Sequence, residues 1–306
     1  MACRPSLGLL AAVLALGAPR AARACSVCGC GDPQLEANDP AATSGRFRLQ
    51  LESQYLTVTS GTEGAPGLTD HLTQYTLRAD AVYGPTDRLS LMVQVPLVRK
   101  ELSTTGQGAD RPTSSLSGLG DVELGARYSL FSRVDFGRRQ RQELAVSAGT
   151  SLPTGANDGR MGGARVDEHG QVGTGSFGPY AGLHYAFSRG DWDAFATLSL
   201  RAHTTSSFGY QYGQALLWSL HAQYQAAPRL VLSAGIDGRN AWADLDHGAA
   251  VDDTGGLLLA AAPAAWFNVA GGFWLGARAQ LPFYSRLRGE QSVGPTVMAG
   301  LQYQLF

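Results

Sequence analysis

The sequence predicts an all-β protein, a transmembrane antiparallel up-and-down β-barrel of about twelve strands, and three observations carry that expectation. About twelve stretches of roughly ten to fifteen residues alternate apolar with polar side chains. The connections between them alternate short and long. The composition is also too polar for a bundle of membrane-crossing helices, with a mean hydropathy of −0.09 and 44% hydrophobic residues. A barrel needs no more than this, because half of each strand faces lipid and half faces water.

The expected strands are 45–58, 71–83, 88–99, 119–131, 141–153, 174–187, 191–203, 214–226, 229–239, 256–267, 272–284 and 292–306. The fourth shows the pattern best. Val122, Leu124, Ala126, Tyr128 and Leu130 occupy one side, Glu123, Gly125, Arg127 and Ser129 the other, since successive side chains in a strand point to opposite faces. The seventh sets Trp192, Ala194, Ala196, Leu198 and Leu200 against Asp193, Phe195, Thr197, Ser199 and Arg201. Residues 256–277 are almost uncharged and long enough to pass for a membrane helix. Pro263 would cost a helix interior about 3 kcal/mol, and Gly271 and Gly272 add to the penalty. A hairpin is expected there instead, with Leu258, Ala260 and Ala262 on one strand and Phe273, Leu275 and Ala277 on the next. In the last strand Val297, Ala299, Leu301, Tyr303 and Leu305 form the apolar row, which leaves Phe306 one step out of register. That offset weakens the terminal-aromatic signal for the barrel-assembly machinery without removing it.

Tight turns are expected at Gly84–Asp87, Ser188–Asp191, Ala226–Pro228 and Asn268–Gly272. Long polar loops are expected at Ser60–Asp70, Lys100–Ser117, Thr154–Val172, Thr204–Gly213 and Gly238–Gly255. Short turns of outer-membrane barrels are periplasmic, so both termini should be periplasmic and the long loops outside. Aromatic residues gather beside the short turns, among them Tyr83, Tyr128, Phe131, Tyr185, Phe187, Trp192, Tyr224, Trp266 and Phe267. Such rings suit the headgroup level of an outer-membrane lipid bilayer.

Upstream of the first strand, Arg4, the apolar run Leu7–Gly17 and Ala22-Arg23-Ala24 read as a secretory signal peptide. The expected organisation is a signal peptide at 1–24, a periplasmic Cys-containing segment at 25–44, and the barrel at 45–306. With 24 basic and 25 acidic residues and a net charge of −1, nothing marks a nucleic-acid surface. No H-E-x-x-H or G-x-S-x-G motif is present, and Gly173-x-Gly175-x-x-Gly178 lacks the βαβ unit that a dinucleotide site requires. No enzyme is expected.

Arg48, Glu52, Arg78, Asp80, Glu123, Arg127, Glu143, Arg201, Asp237 and Arg278 fall on the faces opposite the apolar rows. An Arg or Lys on the lipid face would cost about 2–4 kcal/mol at mid-membrane, so these residues are expected to line the lumen. They can pair with one another and stiffen the wall, or line a narrow hydrated path. By the same penalty Ala126→Arg should impair assembly far more than Glu123→Arg.

Cys25, Cys28 and Cys30 stand within six residues, ahead of the first strand. As thiolates they can bind a soft metal, Cu(I) or Zn²⁺. Two of them can instead form a disulfide, or Cys25 can carry a lipid. Gly29 occupies the place of the His that a c-type haem motif requires.

Three Gly-rich segments, Gly118-Leu-Gly-Asp-Val-Glu-Leu-Gly-Ala-Arg-Tyr, Ser151-Leu-Pro-Thr-Gly155 and Gly173-Thr-Gly-Ser-Phe-Gly178, together resemble an outer-membrane transporter-like family named for the meta-pathway of phenol degradation. The resemblance implies a barrel and a role in uptake of small, aromatic or hydrophobic compounds. The sequence thus points to an outer-membrane channel passing small solutes through a narrow polar lumen. The alternative is a metal-binding or envelope-anchored protein acting through Cys25, Cys28 and Cys30.

Overall fold

The computed structural model describes residues 46–61, 68–106, 111–161 and 163–305. Twelve antiparallel strands close on themselves. They are β1 (Phe47–Gly61), β2 (Leu68–Tyr83), β3 (Leu89–Gly106), β4 in two segments (Arg111–Leu119 and Glu123–Asp135), β5 (Gln140–Ser151) and β6 (Gly178–Arg189). The second half comprises β7 (Trp192–Arg201), β8 (Ala215–Ala227), β9 (Leu230–Ala241), β10 in two segments (Gly256–Ala261 and Ala264–Ala270), β11 (Phe273–Leu287) and β12 in two segments (Gln291–Val293 and Thr296–Leu305). Each strand pairs with its sequence neighbours, and β1 pairs with β12 from Phe47↔Leu305 to Tyr55↔Val297. That last ladder removes the sheet edge, which in lipid would leave a row of unsatisfied amides and carbonyls.

At one end the connections are tight: 84–88, 136–139, 190–191, 228–229 and 271–272. The opposite end carries the long loops 152–177, 202–214 and 242–255. Parts of two expected long loops are strand. β1 and β2 run to Gly61 and from Leu68, and β3 and β4 run to Gly106 and from Arg111. These extensions are rich in Ser and Thr. They carry no apolar row because β3, at 18 residues, is far longer than the ~9–11 needed to cross a bilayer. The strand expected at 174–187 starts only at Gly178, because Thr174 and Ser176 belong to an inward loop.

Leu49, Leu51, Leu77, Leu91, Leu124, Leu198, Leu275 and Leu301 project outward as an exposed apolar band. Around the short-turn end Tyr83, Tyr128, Trp192, Tyr224, Phe267 and Phe273 are exposed as well. Some meet across strands, Trp192 with Tyr224 at 4.7 Å and Phe273 with Tyr303 at 4.4 Å between ring centroids. Trp266 departs from this group. It faces inward, 8% exposed, and lies over Gly276, where a Cβ would come within 2.2 Å of the indole. The expected hairpin at 256–277 is present, with β10 interrupted at Ala262-Pro263. Phe306 lies outside the described residues, as do the expected signal peptide 1–24 and the segment 25–44.

Candidate functional site: the lumen and its inward loop

Period-two alternation sends every second residue of each strand into the barrel. The pairing register then decides which inward residues meet. Glu52 stands opposite Arg78, and the Arg78 Nη2 to Glu52 Oε1 distance is 2.7 Å. Arg78 Nε also donates to Asp80 at 3.1 Å, and Arg278 lies 3.6 Å from Glu52, so four strand residues form one network. Further round the wall Arg127 and Arg141 both reach Glu143, at 3.5 and 3.0 Å. Arg201, 1% exposed, donates to Glu123 at 2.6 Å and lies 4.8 Å from the Tyr180 ring centroid. Asp237 is held by His221 at 2.8 Å and Gln280 at 2.6 Å. Arg48 sits in the same inward row of β1, half-buried, at the short-turn end opposite Gln304. Cys25, Cys28 and Cys30 lie outside the described residues.

Not all of the interior is charged. Gln50, Gln54, Gln74 and Gln94 share the inward rows of β1, β2 and β3. Their spacing from Glu52 and Arg78 is the signal that could have found them. Nearer the long-loop end the inward rows become aliphatic. Leu56, Val58 and Leu72 form a buried cluster joined by Leu102, Leu258 and Leu287. The same parity count that selects Glu52 selects Leu56 and Val58 as inward.

The loop 152–177 folds into the barrel mouth. Its closing segment, residues 171–174, lines a cavity of about 60 Å³ together with β1–β5 and Tyr212. That volume holds roughly four waters. The three Gly-rich segments singled out in the sequence converge at the loop's anchorage. Asp121 Oδ1 accepts from Gly155 N at 2.9 Å, and Asp121 Oδ2 accepts from Thr174 N at 2.8 Å and Thr174 Oγ1 at 2.5 Å. Thr154 Oγ1 donates to Gly120 O at 3.0 Å and accepts from Val122 N at 2.9 Å. Gly155 and Gly173 touch backbone to backbone, where a Cβ on either would come within 2.6 Å of the other. The glycines are there for contact, and the carboxylate and hydroxyls cap the amides that such an irregular crossing leaves unpaired.

Above this anchorage the three long loops meet at Asp244, which is fully buried. Asp244 accepts from Tyr210 Oη at 2.5 Å and Gly213 N at 2.7 Å, and lies 2.9 Å from His169 Nε2. Burial opposes its ionisation. The His169 contact, Tyr210 and the Gly213 amide nonetheless hold its carboxyl below the usual range. Burial and the Asp244 charge push the Tyr210 and Tyr212 hydroxyls far up. His203 is held down to about 4, by burial first and then by the Arg201 guanidinium.

Lys100, expected in a loop, is instead an inward residue of β3 and lines the cavity. It is 4% exposed, and its Nζ donates to His169 O at 2.8 Å.

A family model described as "Putative MetA-pathway of phenol degradation" matches residues 35–292. The chain belongs to this family. The match takes in the whole Asp121 anchorage and eleven of the twelve strands. No curated protein matches the chain. Among solved structures it is similar to an outer-membrane channel from Pseudomonas putida F1, at 17% identity and a TM-score of 0.64, over 90% of this chain and 99% of that one. It also aligns with the translocator domain of the autotransporter NalP from Neisseria meningitidis, at 14% identity and a TM-score of 0.45, over 84% and 88%. The toluene transporter TbuX from Ralstonia pickettii aligns at 10% identity and a TM-score of 0.41, over 88% and 92%. The family member described here therefore has the fold of an outer-membrane β-barrel.

Proposed function

We propose that this barrel is an outer-membrane channel that passes small solutes through a narrow polar lumen, with both termini periplasmic and the long loops outside. The observation that carries the reading is the interior itself. Side chains that fill a merely structural barrel would pack to near-crystalline density. Here a cavity lined by Gln54, Gln74, Arg78 and Lys100 remains beside the buried aliphatic cluster of Leu56, Val58 and Leu72. A cavity with both polar and apolar lining, Pro96, Val98 and Val172 beside the polar groups, suits small solutes carrying both kinds of surface. Membership of a family described by phenol degradation, and likeness to an outer-membrane channel, support small aromatic or hydrophobic compounds as the class. At twelve strands the barrel is too narrow for a wide aqueous pore.

In this reading residues 1–24 are removed on export, 25–44 remain periplasmic, and the barrel is inserted by the barrel-assembly machinery. Flux across planar bilayers and in liposome-swelling assays tests it. Purified barrel should conduct small currents and admit small solutes while excluding sugars of disaccharide size. A barrel that is folded, as judged by heat-modifiable migration, yet passes neither ions nor solutes would overturn the reading.

A further inference from the structure

Lys100 is out of balance with its surroundings. Its side chain is buried, yet the one group it contacts is a neutral carbonyl, His169 O at 2.8 Å, and no carboxylate of the described residues lies within ion-pair distance. An ammonium has three donors, and a buried cation is costly unless an anion compensates it. Asp121 and Asp167 act on Lys100 only from beyond ion-pair distance, and the carboxylates about the cavity are already engaged, Asp167 by His169 N. Asp121 accepts from Gly155 N, Thr174 N and Thr174 Oγ1, and Glu123 is paired with Arg201. Beside Lys100 the cavity offers Gln74, 4% exposed, whose Oε1 has no partner while its Nε2 donates to Thr76 Oγ1 at 3.0 Å.

The register supplies the other half of the argument. Leu56, Gln74 and Lys100 are direct cross-strand partners in one inward row. The next row toward the long loops holds Val58, Leu72 and Leu102. The pocket that holds this ammonium therefore lies one row from a packed aliphatic cluster, and its own apolar lining is Pro96, Val98 and Val172. The cavity, at about 60 Å³, has room for a small organic anion.

We propose that this site binds the carboxylate of a small organic monocarboxylate, with Lys100 as the recognising cation and the hydrocarbon body lying against Pro96, Val98 and Val172. The inference deepens the channel reading by naming an anionic, amphiphilic solute class. The carboxylate accepts from the two ammonium N–H groups that His169 O leaves unused. Charge-assisted hydrogen bonds of this kind are roughly twice as strong as neutral ones.

Binding to the detergent-solubilised full-length barrel tests the site independently of transport. Titration with benzoate and with its neutral isostere benzamide, followed by calorimetry, should give at least tenfold tighter binding of benzoate. Lys100→Met should bring benzoate down to the benzamide level, and Lys100→Arg should retain the preference. Equal affinity of the two ligands, or a benzoate affinity unchanged in Lys100→Met, overturns the proposal. If Lys100→Met does not fold, the benzoate-to-benzamide ratio of the unmodified protein decides alone. Tight, Lys100-dependent benzoate binding in a barrel that passes no solute would sustain the site and refute only the channel.

Discussion

Replacing Glu123 by Gln should destabilise the barrel by about 2–3 kcal/mol, and the structure says why. Arg201 is 1% exposed and its Nη2 lies 2.6 Å from Glu123 Oε2, with the Tyr180 ring 4.8 Å away. The ring occupies space that Gly125 and Gly149 leave open, since a Cβ at Gly125 would fall 2.2 Å from the tyrosine hydroxyl. Breaking a buried pair by removing one partner costs about 3–5 kcal/mol, because the remaining charge stays buried. Gln keeps an acceptor oxygen for Arg201, which lowers the figure toward that of a lost charge-assisted hydrogen bond. Arg201→Met strands the Glu123 carboxylate and should cost at least as much. The double variant removes both charges and should recover much of the loss, since an apolar replacement of a buried pair is often close to neutral. Equilibrium urea unfolding in lipid vesicles, followed by tryptophan fluorescence, measures all three. A coupling energy of about 1 kcal/mol or more is expected. Effects that add within about 0.5 kcal/mol would mean that the two residues do not depend on one another.

Three further outcomes follow from other parts of the structure. Ala126→Arg should cost about 2–4 kcal/mol and slow the appearance of the heat-modifiable folded band, because the position faces lipid; Glu123→Arg is a poor control, since it would set a second guanidinium against Arg201, whereas Gln94→Arg, across from Asp80, should assemble normally, and equal impairment by Ala126→Arg and Gln94→Arg would invalidate the face assignment. His203 is held at about 4 in the folded loops against an ordinary 6.5, so the unfolded loops bind the proton first: the contribution of about 3 kcal/mol is fully present above pH 6.5 and is lost as pH falls to 4. Loop protease resistance should decline over that window and His203→Gln should flatten the decline, with an unchanged profile counting against the assignment. With its thiols reduced, the mature protein should bind about one Cu(I) or Zn²⁺, and Cys28→Ser with Cys30→Ser should abolish this without altering the folded band; native mass spectrometry showing a disulfide in every molecule and no metal would exclude it.

What the sequence determined by itself is the part that a two-residue period can carry. Alternation such as Leu124, Ala126 and Tyr128 against Glu123 and Arg127 assigns strands and faces from neighbours alone, and the distribution of Gly and Pro marks where strands turn. Twelve such stretches with short and long connections imply a closed antiparallel barrel, and three short Gly-rich segments point to the family. The same period fails where its contrast fades. The Ser- and Thr-rich ends of β3 and β4 read as loop because their outward faces carry no apolar row, as at Glu101, Ser103 and Thr105, and that hid Lys100 inside a strand. Trp266 reads as an interfacial ring, but the pairing register runs unbroken past Ala262-Pro263, so Trp266 shares the inward face of Ala260 and Ala262 and lies over Gly276. Contacts between distant segments were decided only by the tertiary structure. Alternation puts Glu52 and Arg78 on inward faces, and only the pairing register places them 2.7 Å apart. Asp121 lies in one strand connection and Thr174 more than fifty residues later in another. Nothing local requires them to meet, and it is their meeting that folds the loop inward and encloses the cavity at Lys100. Local periodicity is a property of a few consecutive residues, whereas register and loop docking are settled by the combined energy of many long-range contacts, which no short stretch of chain encodes.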